Sequence, residues 1–122
     1  MSPSSFYHQI YTLVLRIPAG KVTSYGRIAT ILGAPSRARQ VGYAMSALRF
    51  KTGDPDYADV PWQRVVNAQG YISIRGARHN KSQQADRLRA EGVPVSDDFH
   101  IDLDQYLWEG LDWEEIEEFV GI

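Results

Sequence analysis

The 122-residue chain has no cysteine, which excludes disulfides, thiolate zinc sites and any chemistry that needs a thiol nucleophile. Its three histidines, His8, His79 and His100, lie far apart without ligand spacing, so no metal or cofactor is expected. No apolar run reaches the length of a membrane span. Met1-Ser2-Pro3-Ser4-Ser5 lacks the basic start and apolar core of a signal peptide, and a cytoplasmic protein with no membrane partner is expected.

Charge of one sign is missing from each end. Residues 1–53 carry Arg16, Lys21, Arg27, Arg37, Arg39, Arg49 and Lys51 and no acid. Residues 97–122 carry Asp97, Asp98, Asp102, Asp104, Glu109, Asp112, Glu114, Glu115, Glu117 and Glu118 and no Lys or Arg. With a nearly balanced middle, the segment charges are +7, +1 and −10. A basic half beside an acidic tail suggests a polyanion-binding face with the acids placed elsewhere. The alternative is a fold that mixes the charges, the acids being a solvated helix face.

What is present fits one globular domain, 43% hydrophobic and 23% charged. Ser4 or Ser5 can cap a helix in which Phe6, Ile10, Leu13, Val14 and Ile17 recur at helical spacing, ended by Pro18 and Gly20. Ser24 can cap a second helix, Tyr25 to Leu32, stopped by Gly33 with Pro35 beyond it. Ser36 is expected to cap a third, about Arg37 to Leu48, with Ala38, Val41, Met45 and Leu48 inward. The last two helices read as a helix-turn-helix.

On the outward face of the third helix, Arg39, Gly42, Tyr43 and Ser46 lie at i, i+3, i+4 and i+7. A helix that reads bases in the major groove presents Asn, Gln or Arg at several positions. A single Arg beside Gly42 and Ser46 suits a narrow groove or a sequence-indifferent contact, with Arg39 probing the base stack. For Gly42 the competing reading is tight helix packing within the fold.

A polar loop, Thr52 to Asp59, leads to Val60-Pro61-Trp62-Gln63-Arg64-Val65-Val66-Asn67, a rigid apolar turn around a large aromatic with a strand running out of it. Asn67-Ala68-Gln69-Gly70 predicts a turn into a second extended segment, Tyr71 to Ile74, which brings Arg75 back towards Trp62. Lys81 to Glu91 predicts a short helix with Ala85 and Leu88 inward, closed by Gly92. Ile101, Leu103, Tyr106, Leu107 and Trp108 form an apolar patch returning to the domain, and Asp112 to Val120 an acidic amphipathic helix.

Three stretches in order carry a resemblance: Ile17 to Ala29 (IPAGKVTSYGRIA), Ala38 to Met45 (ARQVGYAM) and Val60 to Val66 (VPWQRVV). Together they resemble the DNA-binding domain of O6-alkylguanine-DNA alkyltransferases, over about residues 6–108. In that family the turn reads Pro-Cys-His-Arg-Val, and its cysteine takes the alkyl group from a flipped-out base. Here Trp62 holds the cysteine position, the mark of the alkyltransferase-like proteins, which look like the same domain without transfer activity.

The resemblance implies a mostly α fold with a small β element: a winged helix-turn-helix-like DNA-binding domain of the alkyltransferase C-terminal type over residues 1–108. An acidic tail, 109–122, follows. It also implies roles: Tyr25 helps rotate the nucleotide's phosphate, Arg39 fills the place of the flipped base, Trp62 walls the pocket, and Arg75 contacts the base through its ring face. Val60, Pro61, Gly42, Ser36 and Gln40 complete the expected DNA- and lesion-contacting set. Gln63 stands where the family has the histidine that activates the thiol. Glu91, near the acid of that relay, then has nothing to relay to and is read as structural.

The implied function is a monomeric, non-enzymatic damage sensor. It binds duplex DNA in the minor groove, flips O6-alkylguanine and flags it for nucleotide excision repair proteins. Extruding a base costs on the order of a few kcal/mol, least for one already poorly paired; stacking and cation–π contacts offset part of that. One rival is a residual alkyltransferase with another nucleophile, disfavoured because no Lys, Ser or Asp sits at the turn with an activating base. The other is a sequence-specific helix-turn-helix regulator, which would dimerise on spaced half-sites and need a better-stocked recognition helix.

Overall fold

Local capping sets the first two helices. The computed structural model describes residues 5–48, 57, 59–73 and 80–120, the side chains of 80, 119 and 120 excepted. Helix α1 spans Phe6–Val14, and its cap is Ser5, whose Oγ accepts the His8 N–H at 3.0 Å. Helix α2 spans Tyr25–Ile31, with Ser24 Oγ accepting the Arg27 N–H at 3.2 Å. Each bond satisfies a backbone donor that a helix start leaves unpaired. Gly33 then stops α2 in the left-handed region, at φ +77°.

Helix α3, Ala38–Ala47, begins otherwise than expected. Ser36 is not its cap: Pro35–Arg37 form a 3₁₀ turn, and Arg37, which precedes α3, makes no capping bond. Pro35 is the physical reason. Its fixed φ suits the first position of a helical turn, so the chain is already turning when it reaches Ser36.

Helices α2 and α3 pack on each other and α1 packs on both, giving the helix-turn-helix. Their shared core holds Ile10, Leu13 and Val14 of α1, Ile28 and Ala29 of α2, and Val41, Ala44 and Met45 of α3, closed by Val60, Val65 and Trp108. Tyr11 is buried among them and donates its hydroxyl to the Ala44 carbonyl at 2.8 Å. Burial, and secondarily Tyr7 and Tyr57, push that hydroxyl up to about 12, which keeps it a donor.

The β element is a parallel pair, β1 (Thr23–Ser24) beside β2 (Val65–Val66), with Thr23 opposite Val65 and Ser24 opposite Val66. Successive residues of a strand point to opposite faces. Val65 therefore enters the helical core, and Val66 enters a second core with Val22, Ile72, Ala85, Leu88, Val93, Val95 and Ile101. The expected Asn67–Gly70 turn forms, with Asn67 Oδ1 accepting the N–H groups of Gln69 and Tyr71. Beyond it the chain runs beside 99–101: Ile72 N–H donates to the Phe99 carbonyl at 2.9 Å, and Tyr71 bridges His100 antiparallel. Gly70 is obligatory there, because at φ +91° a Cβ would collide with the Ile101 carbonyl.

Helix α4, Asn80–Ala90, turns Gln84, Ala85 and Leu88 inward, and Gly92 follows at φ +88°. Helix α5, Leu103–Tyr106, leads into a bridge between Leu107 and Val22. Trp108 N–H donates to the Val22 carbonyl at 2.7 Å, so the apolar patch returns to the domain as expected. Past Trp108 the chain stays close: Arg27 Nη2 donates to the carbonyls of Trp108 and Glu109 at 3.2 and 3.3 Å, and Leu111 packs on the helical core. Helix α6, Trp113–Val120, carries the acids, and its Glu115 meets Arg16 at 3.6 Å. Among the described residues no helix is long and apolar enough to cross a membrane.

Candidate nucleic-acid interface

The two faces of α3 have opposite characters. Val41, Ala44 and Met45 are fully or almost fully buried, while Arg39 and Tyr43 are exposed and Gly42 and Ser46 half-buried. Arg39 has no ion pair or hydrogen bond among the described residues, so its guanidinium is available to a partner. At Gly42 a Cβ would meet nothing within 4 Å. The glycine is therefore not required by helix packing inside the fold, and the packing reading of Gly42 lapses. Gln40 is half-buried on the same helix, and Ser36 is exposed in the 3₁₀ turn that leads into it. Arg37 caps the ring of Phe6 at 4.0 Å, which sets a second cation beside this end of α3.

The apolar turn owes its shape to Pro61. At φ −81° and ψ 69° it forms an inverse γ-turn, with the Trp62 N–H donating to the Val60 carbonyl at 2.8 Å. A 3₁₀ turn, Trp62–Arg64, follows at once and hands the chain to β2. Val60 and Pro61 are themselves buried, Val60 within the helical core. They shape the turn from inside, whereas Trp62 is half-buried, resting on the core with part of its indole open.

Behind the turn lies a clamp. Arg64 Nε donates to both carboxylate oxygens of Glu91 at 2.9 Å, Nη2 reaches Oε2 at 2.7 Å, and Nη1 donates to the Ile17 carbonyl at 2.7 Å. One guanidinium thus ties the turn to the end of α4 and to the segment after α1. Glu91 is engaged in this ion pair and is not a free base. Gln63 is buried with its amide nitrogen 3.5 Å from the same carboxylate, a marginal contact. Gln84, also buried, donates from Nε2 to the carbonyls of Gln63 and Val65, both at 3.0 Å. Neither the Trp62 indole nor the Gln63 amide can stand in for a thiol nucleophile, and the Glu91 carboxylate is held by Arg64.

Tyr25 opens α2 with its ring against the helical core. Burial raises its hydroxyl pKa, and the Ser73 hydroxyl beside it works the other way, so the phenol stays neutral and can donate. Arg75 lies outside the described residues. Sequence reasoning misses Arg87, an exposed residue of α4 whose guanidinium stands over the Trp62 ring, 5.1 Å from its centroid. The available signal is Gln84, a polar residue on the inward stripe of α4, which marks that helix as bonded to something across the fold.

The basic half is partly used within the fold: Arg16 pairs with Glu115, and Arg27 donates to backbone carbonyls. The basic half and the acidic tail therefore meet at Arg16 and Glu115, and among the described residues no acid pairs with Arg39.

Comparisons with known proteins agree with this geometry. Residues 5–93 match the family described as 6-O-methylguanine DNA methyltransferase, DNA binding domain. Alkyltransferase-like protein 1 of Schizosaccharomyces pombe is 41% identical over 112 residues, 88% of this chain and 98% of that protein. The DNA base-flipping protein of Escherichia coli is 42% identical over 104 residues, 85% of this chain and 74% of that protein. The crystal structure of the S. pombe protein in complex with damaged DNA containing O6-carboxymethylguanine superposes with a TM-score of 0.76, covering 89% of this chain and 99% of that one at 41% identity. The chain belongs to the family of the 6-O-methylguanine DNA methyltransferase DNA-binding domain, and within it to the alkyltransferase-like proteins.

Proposed function

We propose that the protein is a non-enzymatic sensor of alkylated DNA. It binds duplex DNA through the exposed face of α3 in the minor groove, extrudes O6-alkylguanine into a pocket walled by Trp62, and leaves the lesion unchanged. The observation that carries this is Trp62, half-open at the Pro61 turn where an alkyl-accepting cysteine would stand, with Glu91 paired to Arg64 behind it. Arg39 enters the stack in place of the lifted base, Tyr25 guides the phosphate, and Arg75 meets the extruded ring. Ser36 and Gln40 contact the backbone beside α3, Gly42 allows the backbone close, and Val60 and Pro61 hold the pocket's shape from beneath.

Residues 1–108 are the DNA-binding unit and 109–122 an acidic appendage. The protein acts as a monomer in the cytoplasm, and the stable complex is handed to nucleotide excision repair proteins. The relatives, named for base flipping and solved with damaged DNA, support the sensor reading. The test is to incubate excess protein with a duplex containing O6-methylguanine and analyse the recovered base. Methyl retained on guanine is expected, and methyl found on the protein would refute the non-enzymatic reading.

A further inference from the structure

Arg87 lies in none of the motif stretches that carry the resemblance, and three features of its surroundings give it a task. Its guanidinium covers the Trp62 indole at 5.1 Å from the ring centroid, within cation–π range. The contact is not a loose surface encounter. One turn earlier on α4, Gln84 is almost fully buried and bonds the carbonyls of Gln63 and Val65, the residues just after Trp62. Ala85 and Leu88 are buried in the second core. The helix bearing Arg87 is therefore fastened to the turn bearing Trp62.

Among the described residues the charge is also left without an ion pair. Its neighbour Asp86 pairs with Arg89 at 3.6 Å, and Glu91 is held by Arg64 at 2.7 Å. No described carboxylate makes an ion pair with Arg87, whose ring contact leaves its fan of N–H donors for another acceptor.

Resting on the reading of Trp62 as a pocket wall, we propose that Arg87 is a specificity-determining residue. It braces the indole and biases the pocket towards O6-alkylguanines whose substituent ends in a carboxylate, over neutral substituents of the same shape. An exposed guanidinium–carboxylate pair is worth a modest amount, about a two- to fivefold preference.

The discriminating probes are duplexes containing O6-carboxymethylguanine or O6-carbamoylmethylguanine, nearly isosteric and differing by one charge. They are titrated at fixed low salt beside O6-methylguanine and undamaged duplexes. The wild-type protein is expected to prefer the carboxylate about two- to fivefold, and Arg87→Lys to keep part of that preference. Arg87→Gln should lose it while keeping its melting temperature. A preference unchanged in Arg87→Gln, or equal loss of affinity for both probes, would overturn the assignment. Failure of the wild-type protein to distinguish O6-methylguanine from undamaged DNA would instead remove the pocket reading beneath it.

Discussion

Replacing Gly42 by alanine should move stability and DNA binding in opposite directions. Gly42 lies in the middle of α3, in helical conformation, and a Cβ there meets nothing within 4 Å. The substitution then gains helix propensity without a packing penalty, about 1 kcal/mol in a helix interior. For a domain of this size that is a rise of roughly 3–5 °C in melting temperature. If the face carrying Gly42 lies against DNA, the same methyl intrudes on a packed contact. Overpacking costs about 1–3 kcal/mol, or at least a fivefold loss of affinity for lesion duplex. Thermal melting of the free protein and an anisotropy titration at fixed salt read the two effects separately. A lower melting temperature would show that the glycine serves packing within the fold. Unchanged affinity would show that α3 does not meet DNA through this face.

Arg64→Ala leaves the 13%-exposed Glu91 carboxylate and the Ile17 carbonyl without their donor, and should cost about 2–4 kcal/mol. A melting shift under 2 °C would mean the clamp contributes little. Arg39→Ala should reduce affinity for lesion duplex about tenfold or more with little change in melting, since the residue is exposed and the cost of the vacated stack is a few kcal/mol. A large fall in melting temperature would make Arg39 structural. Tyr11→Phe should cost about 1–2 kcal/mol near neutral pH through the lost bond to Ala44. The raised pKa makes the native hydroxyl's contribution complete below pH 10.0 and lost as pH rises through about 12. Wild-type protein should therefore lose stability across that window relative to the phenylalanine variant, and parallel alkaline curves would contradict the assignment.

Much of the helical half was legible because its signals are local. Ser5 and Ser24 cap where a short side-chain oxygen precedes an apolar period, and Gly33 stops α2 because its backbone must be left-handed. Ser36 misleads because Pro35 starts the turn before it, a rule that competes with capping and wins. The Val65–Val66 strand was legible as the apolar run out of the Pro61 turn, but its partner was not: Thr23–Ser24 is two residues long and shows no period, and the parallel pairing joins distant parts of the chain. At the site, Trp62 and Arg39 stand out by residue type and position. Arg87 does not, since its relation to Trp62 arises from α4 being bonded through Gln84 to the turn, a tertiary fact. Glu91 could be read as structural, while its partner Arg64 became visible only with the clamp.

Lesion recognition by this protein is decided by a fluorescence titration of two short duplexes at the same fixed salt, identical but for one O6-methylguanine. Clear preference for the methylated duplex is expected, with Arg39→Ala abolishing most of the difference. Equal binding to both duplexes by the wild-type protein would contradict it, leaving the family fold without lesion recognition.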